Sequence, residues 1–225
     1  GGNDLALDDI KIVQQYCDSD GDGVANLFDL DDENDGIPDI EEAGFKAYSN
    51  GSSTMDIANG ALWSDSNNNG FNDVLDALVA GGTYSIPDTD TDSVWDYLDL
   101  DSDNDTFFDV DEAGLFNGDG DINGDGKGDL LDTDRDGILD LYDNHIGFGT
   151  HARAYAQNTD SLGNPDYMQL DSDNDGTNDI LAGLHASLDT DNDGQIDTNA
   201  DADKDGIPDT FDTNDAAIGS PRDLD

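Results

Sequence analysis

Basic residues are nearly absent from this chain of 225 residues, which sets seven Lys and Arg against 56 Asp and Glu for a formal charge of −49. Those seven are scattered from Lys11 to Arg222 and form no phosphate-binding patch, which argues against a nucleic-acid partner. A single cysteine, Cys17, rules out an internal disulfide and says nothing about compartment. No run of about 18 apolar residues is available to span a membrane. Core formers are scarce as well. Leu, Ile, Val and Phe number 47, close to the level of about 20% below which a highly charged chain is expected to stay disordered. A chain of this charge repels itself, so a cation is the expected remedy.

Glutamate is the last scarcity. Only Glu33, Glu41, Glu42 and Glu112 are present, and the other 52 acids are Asp. Solvation has no need of the shorter arm. Tight turns do, because an Asp carboxylate reaches back over its own backbone, so the bias favours ligation over plain solubility. The chain opens on Gly-Gly with no basic start or apolar signal core and reads as a fragment of something longer.

What is present is an internal repeat. DSDGDGVANLFDLDDENDGIPDIEEAG at 18–44 returns at 88–114 as DTDTDSVWDYLDLDSDNDTFFDVDEAG and, more altered, at 158–184 as NTDSLGNPDYMQLDSDNDGTNDILAGL, each offset by 70 residues. The chain thus divides into an N-terminal cap or linker, 1–17, and three repeat units, 18–87, 88–157 and 158–225. Within the cap, Ile10 to Val13 is expected to form a strand or to cover the first loop.

The punctuation is Asp-x-Asp-x-Asp-Gly-x-x-Asp-x-x-Asp, in which every second side chain points inward, as a hard cation with six to eight oxygen ligands requires. Loop 1 offers Asp18, Asp20, Asp22, the Val24 carbonyl, Asn26 and Asp29 at positions 1, 3, 5, 7, 9 and 12 of a calcium loop, with Gly23 at the sharp turn of position 6. Loop 2 offers Asp31, Glu33, Asp35, the Ile37 carbonyl, Asp39 and Glu42, whose longer arm can chelate with both oxygens. Loop 3, with Asp65, Asn67, Asn69, the Phe71 carbonyl, Asp73 and Asp76, replaces two carboxylates by amides and is expected to bind more weakly.

Loop 4 has Asp88, Asp90, Asp92, the Val94 carbonyl, Asp96 and Asp99, and loop 5 has Asp101, Asp103, Asp105, the Phe107 carbonyl, Asp109 and Glu112. Ser93 and Thr106 stand where the turn glycine belongs, and a β-branched residue at positive φ is costly. These two loops are expected to deviate in geometry or to be held by their neighbours. Loop 6 (Asp121, Asn123, Asp125, the Lys127 carbonyl, Asp129, Asp132) and loop 7 (Asp132, Asp134, Asp136, the Ile138 carbonyl, Asp140, Asp143) share Asp132, which predicts coupled ions. Loop 8 (Asp171, Asp173, Asp175, the Thr177 carbonyl, Asp179) ends on Ala182. Loop 9 (Asp189, Asp191, Asp193, the Gln195 carbonyl, Asp197) ends on Ala200, with Asp201 as candidate replacement. Loop 10 is complete with Asp201, Asp203, Asp205, the Ile207 carbonyl, Asp209 and Asp212. Residues 158–169 read as a decayed loop, with Leu162 at a ligand position. About ten or more Ca²⁺ ions are expected.

The residues immediately after each loop separate the calcium architectures. An EF-hand needs an exiting helix, yet loop 2 begins at Asp31, directly after loop 1 ends at Asp29. Short helices are expected only over Asn72 to Ala80 and around Ile180, Leu181, Leu184 and Leu188, where apolar spacing is helical. A dockerin's pair of loop-helix units and the glycine nonapeptides of β-rolls are absent. Back-to-back loops of this form resemble thrombospondin type 3 (TSP3) repeats. The pieces DYLDLDSDND at 96–105, DGIPDIEEAG at 35–44 and DTDRDGILDLYD at 132–143 look most like the bacterial version in large secreted surface proteins, including gliding adhesins exported by a type IX route.

The resemblance covers about 18 to 212, with gaps near 45–64, 77–87 and 144–165. It implies an irregular, calcium-stabilised tandem-repeat chain, extended or curved. Such a chain is mostly coil, with short helical turns, few short strands and no large hydrophobic core. The animal repeats carry disulfides, which a chain with one cysteine cannot form. Apolar residues at position 7 (Val24, Ile37, Phe71, Val94, Phe107, Ile138, Ile207) and at positions 10 and 11 (Leu27-Phe28, Tyr97-Leu98, Leu130-Leu131, Leu141-Tyr142) predict a thin series of small cores.

The less acidic inserts hold Tyr48, Trp63, Tyr84, His145, His151, Arg153 and Tyr155, which either brace the acidic wall or bind a glycan or protein. His145, His151 and His185 have no zinc spacing, and no nucleophile elbow, P-loop or dinucleotide fingerprint appears, so the chain reads as a non-enzyme. The expected role is a calcium-binding rod, stalk or scaffold, extracellular or at the cell surface, joined to neighbouring domains of a longer surface protein. The alternatives are an adhesive glycan- or protein-binding module and a calcium-stiffened linker of a secreted enzyme.

Overall fold

The computed structural model describes residues 17–49, 53–54, 64–68, 72–82, 84–114, 121–143, 156–183, 185–198, 200–210 and 212. Among them the chain is mostly coil, with three short helices: α1 (Asp73–Ala80), α2 (Asp109–Glu112) and α3 (Asp179–Ala182). Tighter single turns lie at Asp96–Leu98 and Asp166–Met168, and a helical turn over Glu41–Phe45 breaks at Gly44, whose φ is 77°. The apolar spacing after loops 3 and 8 thus yields the two expected helices, the second only one turn long. The few short strands expected from the resemblance do not appear among the described residues, and the Ile10–Val13 stretch lies outside them. The physical reason is local. Positions 4 and 6 of one loop after another are left-handed, so no segment stays extended long enough to pair.

That left-handed pair is the backbone signature of the loops. Position 6 has φ of 95° at Gly23 and 85° at Gly36, and Ser93 and Thr106 adopt the same geometry at 85° and 81°. Loops 4 and 5 therefore do not deviate: Thr106 is held in place with 2% of its surface exposed. Position 4 is also positive, at Asn34 (64°), Thr91 (69°), Asn104 (60°), Arg135 (62°) and Lys204 (67°). Apart from loop 6, whose closing carbonyl would belong to residue 120 outside the described residues, each loop closes by one backbone bond from the position-9 N–H to the carbonyl preceding position 1. Examples are Asp39 to Leu30 (3.0 Å), Asp109 to Leu100 (3.0 Å) and Asp179 to Leu170 (2.9 Å).

The loops do not run out in single file. The Gly128 N–H donates to Asn34 O at 2.5 Å, and Asn34 Nδ2 donates to Gly128 O at 3.2 Å, which sets loop 6 against loop 2. Loop 9 meets loop 5 in the corresponding way, with Ile196 N donating to Asn104 O at 2.9 Å and Gln195 Nε2 to Asp103 O at 2.8 Å. Close backbone approach extends both pairings. A Cβ on Gly137 of loop 7 would stand 1.6 Å from Asp29 Oδ1 at the end of loop 1, and one on Gly206 of loop 10 would stand 1.7 Å from Asp99 Oδ1 at the end of loop 4. Loops 1 and 2 are thus cross-braced by loops 6 and 7, and loops 4 and 5 by loops 9 and 10.

Doubling back also merges the apolar edges. Ile37, Leu100, Phe108, Val110, Ala113, Ala156, Tyr167 and Ile207 form one buried cluster, with Tyr142 and Met168 packed against it. Residues of all three units meet there, where the sequence predicted separate small cores. Position-7 residues supply Ile37 and Ile207, whereas Leu27, Phe28, Leu131 and Leu141 at positions 10 and 11 stay exposed. Four of the eight residues expected at positions 10 and 11 therefore face solvent.

Candidate metal centres

A recurring division of labour runs through the loop carboxylates. The position-1 Asp caps the turn: Asp101 Oδ1 accepts from Asp105 N at 3.1 Å and its Oδ2 from Thr106 N at 3.1 Å, and Asp189 accepts from Asp193 N and Gly194 N in the same way. One oxygen of the position-5 Asp accepts from the position-7 N–H, as in Asp22 to Val24 (2.6 Å) and Asp205 to Ile207 (2.9 Å). The position-9 side chain braces position 2. Asp96 accepts from Thr89 N (2.8 Å) and Thr89 Oγ1 (2.9 Å), Asp109 from Ser102 N and Oγ, and Asn26 Oδ1 from Ser19 N. Sequence reasoning missed this brace, although Ser19, Ser66, Thr89, Ser102, Thr133, Thr159, Ser172 and Thr190 recur at position 2 as its visible signal.

The oxygens left over converge on the loop centre. At position 3, both oxygens of Glu33, Asp103, Asp134 and Asp203 are buried and accept no hydrogen bond, and at position 12 the same holds for both oxygens of Glu42 and one of Glu112. These are the positions at which a calcium loop presents its ligands. Groups whose oxygens lie within 4.8 Å of one another include Asp18–Asp20–Asp22, Asp31–Glu33–Asp35, Asp88–Asp90–Asp92, Glu33–Asp39–Glu42 and Asp35–Glu42–Asp109. The last joins two repeat units.

Burial of so many carboxylates is electrostatically severe even where a backbone N–H donates to one oxygen. Desolvation pushes Asp20 and Asp90 up to about 7 and Asp29 up to about 8, with neighbouring carboxylates adding to the rise. Asp103, 1% exposed, is pushed well above the usual carboxylate range first by burial and then by Asp105, Glu112, Asp101 and Asp109. Lys127, Arg135 and Lys204 lower Asp20, Asp22 and Asp92, but burial outweighs them. Among the described residues a single salt bridge forms, Lys46 Nζ to Glu41 Oε1 at 2.6 Å, outside the loop centres. A buried ionised carboxylate with no donor costs several kcal/mol. Multivalent cations are the economical partner, and the donor set of carboxylates and carbonyls suits a hard one.

The loops differ in enclosure. Loops 2 and 5 are almost wholly buried beneath loops 6 and 9, whereas Asp173 and Asp175 of loop 8 are exposed. Asp132 turns its oxygens into loop 7, accepting from Arg135 N (2.7 Å) and Gly137 N (3.0 Å), the position-1 arrangement. In loop 3, Asp73 accepts from Ser66 N and Oγ and Asn67 donates to Asp76 Oδ2 at 2.6 Å, while Asn69 and Phe71 lie outside the described residues.

The decayed loop 158–169 keeps the fold and places amides where a cation would sit. Asn158 Nδ2 at position 1 donates to Leu162 O at 3.3 Å and to Asn164 O, and Gln169 Nε2 at position 12 donates to Asn164 O at 2.6 Å. The position-7 carbonyl that would face an ion faces two N–H donors instead. Outside the loops, the expected aromatic cluster is described only in part. Phe45 stacks on Tyr84 with ring centroids 4.8 Å apart, and Tyr84 Oη donates to Ala43 O at 3.0 Å, a bracing role. Trp63, His145, His151, Arg153 and Tyr155 lie outside the described residues. No helix among the described residues is long and apolar enough to cross a membrane. The chain matches no known family, no curated protein and no solved structure.

Proposed function

We propose that this chain is a calcium-binding structural scaffold of TSP3-like tandem repeats, a non-catalytic rod or stalk segment of a secreted bacterial cell-surface adhesin. The observation that carries the calcium reading is Asp103: its carboxylate is 1% exposed, ringed by other acids, and neither oxygen accepts a hydrogen bond. Only protons or a cation make that arrangement tenable near neutral pH. Calcium fits better than magnesium because these loops offer many oxygens on an adaptable backbone, whereas magnesium demands near-ideal octahedral geometry and sheds water reluctantly. The structural role draws on the cross-bracing of loops 1–2 by 6–7 and of 4–5 by 9–10, which spreads load over several loops at once. The surface location and the adhesin context rest on the resemblance of motifs at 35–44, 96–105 and 132–143. Calorimetric titration of the chelator-stripped chain tests the reading. Uptake of about ten calcium ions with much weaker magnesium uptake supports it, and no uptake, or equal response to both ions, rejects it.

A second reading, an adhesive module, is favoured by one feature. Trp95 is 43% exposed and stacks on Tyr97 with centroids 5.7 Å apart, a flat surface of the kind sugars stack upon. Glycan binding by the full chain that vanishes in W95A supports this reading, and unchanged or absent binding removes it.

A further inference from the structure

The sequence assigns Asp35 and Glu42 to the ion of loop 2 and Asp109 to that of loop 5. We propose that Asp35, Glu42 and Asp109 hold an additional divalent cation between repeat units, an inter-unit staple distinct from the loop 2 ion at Asp31, Glu33 and Asp35. The inference rests on the calcium reading above and deepens it.

Three observations carry it. Ligand oxygens of Asp35 and Glu42, from the first unit, and of Asp109, from the second, lie within 4.8 Å of one another, and all three residues are buried. Glu42 is 1% exposed, and neither of its oxygens accepts a hydrogen bond, so a fully buried carboxylate is aimed into the cluster without a donor. Asp35 is the charge that acts most strongly on both Glu42 and Asp109, as expected of three acids converging on one point. Asp109 accepts from Ser102 through both oxygens, yet each carboxylate oxygen retains a second lone pair for an ion.

Seventy residues on, Glu112 stands in a related setting: its Oε2 is buried without a donor, its Oε1 accepts from the Ser172 hydroxyl at 3.4 Å, and Asp105 and Asp179 are among the carboxylates that repel it. A cation here ties the end of loop 2 to loop 5, beside Tyr167, a buried core residue whose neighbours include Glu42 and Asp109.

The test counts ions on the full chain by equilibrium dialysis and elemental analysis for wild type, E42Q, D109N and the double variant. A shared ion predicts that D109N and E42Q each lose at least one calcium and that the double variant loses one fewer than the sum of the two single losses. Strictly additive losses, or a D109N chain that retains every ion, overturn the staple while leaving the calcium loops standing. A wild type that takes up no calcium overturns both. Terbium emission guards against misfolded variants. Y167F leaves every carboxylate in place, and the staple predicts that it removes the same tyrosine-sensitised component that D109N removes. Emission unchanged in Y167F contradicts the site.

Discussion

Replacing Asp103 by Asn separates a ligand from a merely structural acid, because the two roles predict opposite signs in calcium and in chelator. Asp103 sits at position 3 of loop 5, 1% exposed, with both oxygens free of hydrogen-bond donors. Extracellular calcium modules have dissociation constants near 10⁻⁴ to 10⁻³ M. At about 2 mM calcium such a site stabilises the fold by about 0.6–1.8 kcal/mol, and D103N is expected to forfeit most of that. In chelator the sign reverses. Asp103 is held well above the usual carboxylate range by burial and by Asp105, Glu112, Asp101 and Asp109, so a neutral amide there removes repulsion and raises stability. Urea unfolding followed by tryptophan fluorescence, with calcium and with chelator, reads both. Crossing of the two stabilities is the expected result. A D103N chain destabilised equally in both conditions would refute the ligand role.

Other perturbations test the same geometry. G137A is expected to destabilise by more than about 2 kcal/mol, because a Cβ would stand 1.6 Å from Asp29 Oδ1. G21A, at φ +80° with nothing nearby, should cost only about 1 kcal/mol, and thermal unfolding of the pair measures the difference. N158D removes the donor that faces Leu162 O and Asn164 O, which should cost about 1–3 kcal/mol in chelator, with part of the loss recovered on adding calcium. For pH, Asp20 and Asp90 at about 7 and Asp29 at about 8 lie above their unfolded values. Their contribution to the ion-free fold is therefore complete below the unfolded value of about 4 and is lost as pH rises through 7 to 8. The stripped chain should be more compact at about pH 5 than at about pH 9, while calcium affinity, which competes with protons, runs the other way.

The loops were legible because a carboxylate at every second residue, with a turn glycine among them, leaves a pattern that needs no tertiary contact. Their register and the helix at 73–80 both came from spacing, whereas Asp132, expected to serve loops 6 and 7 alike, turns its oxygens into loop 7. The position-4 left-handed residues were less visible, since Thr91, Arg135 and Lys204 adopt a conformation for which Gly or Asn is the usual sign. Ser93 and Thr106 left deviation or support by neighbours open, and both adopt the common turn, Thr106 buried and Ser93 exposed. The fold-back was illegible for a different reason. Asn34 meets Gly128, and Asn104 meets Ile196, through backbone groups that every residue carries. The junction of Asp35, Glu42 and Asp109 depends on that fold-back, so reading the loops singly could not bring it together.

Whether cations hold this fold together is read by small-angle scattering during calcium titration of the chelator-stripped chain. The account predicts an expanded ion-free chain at neutral pH that contracts to one defined shape as roughly eight or more ions bind. A chain whose dimensions ignore calcium, whether compact or expanded throughout, would contradict it.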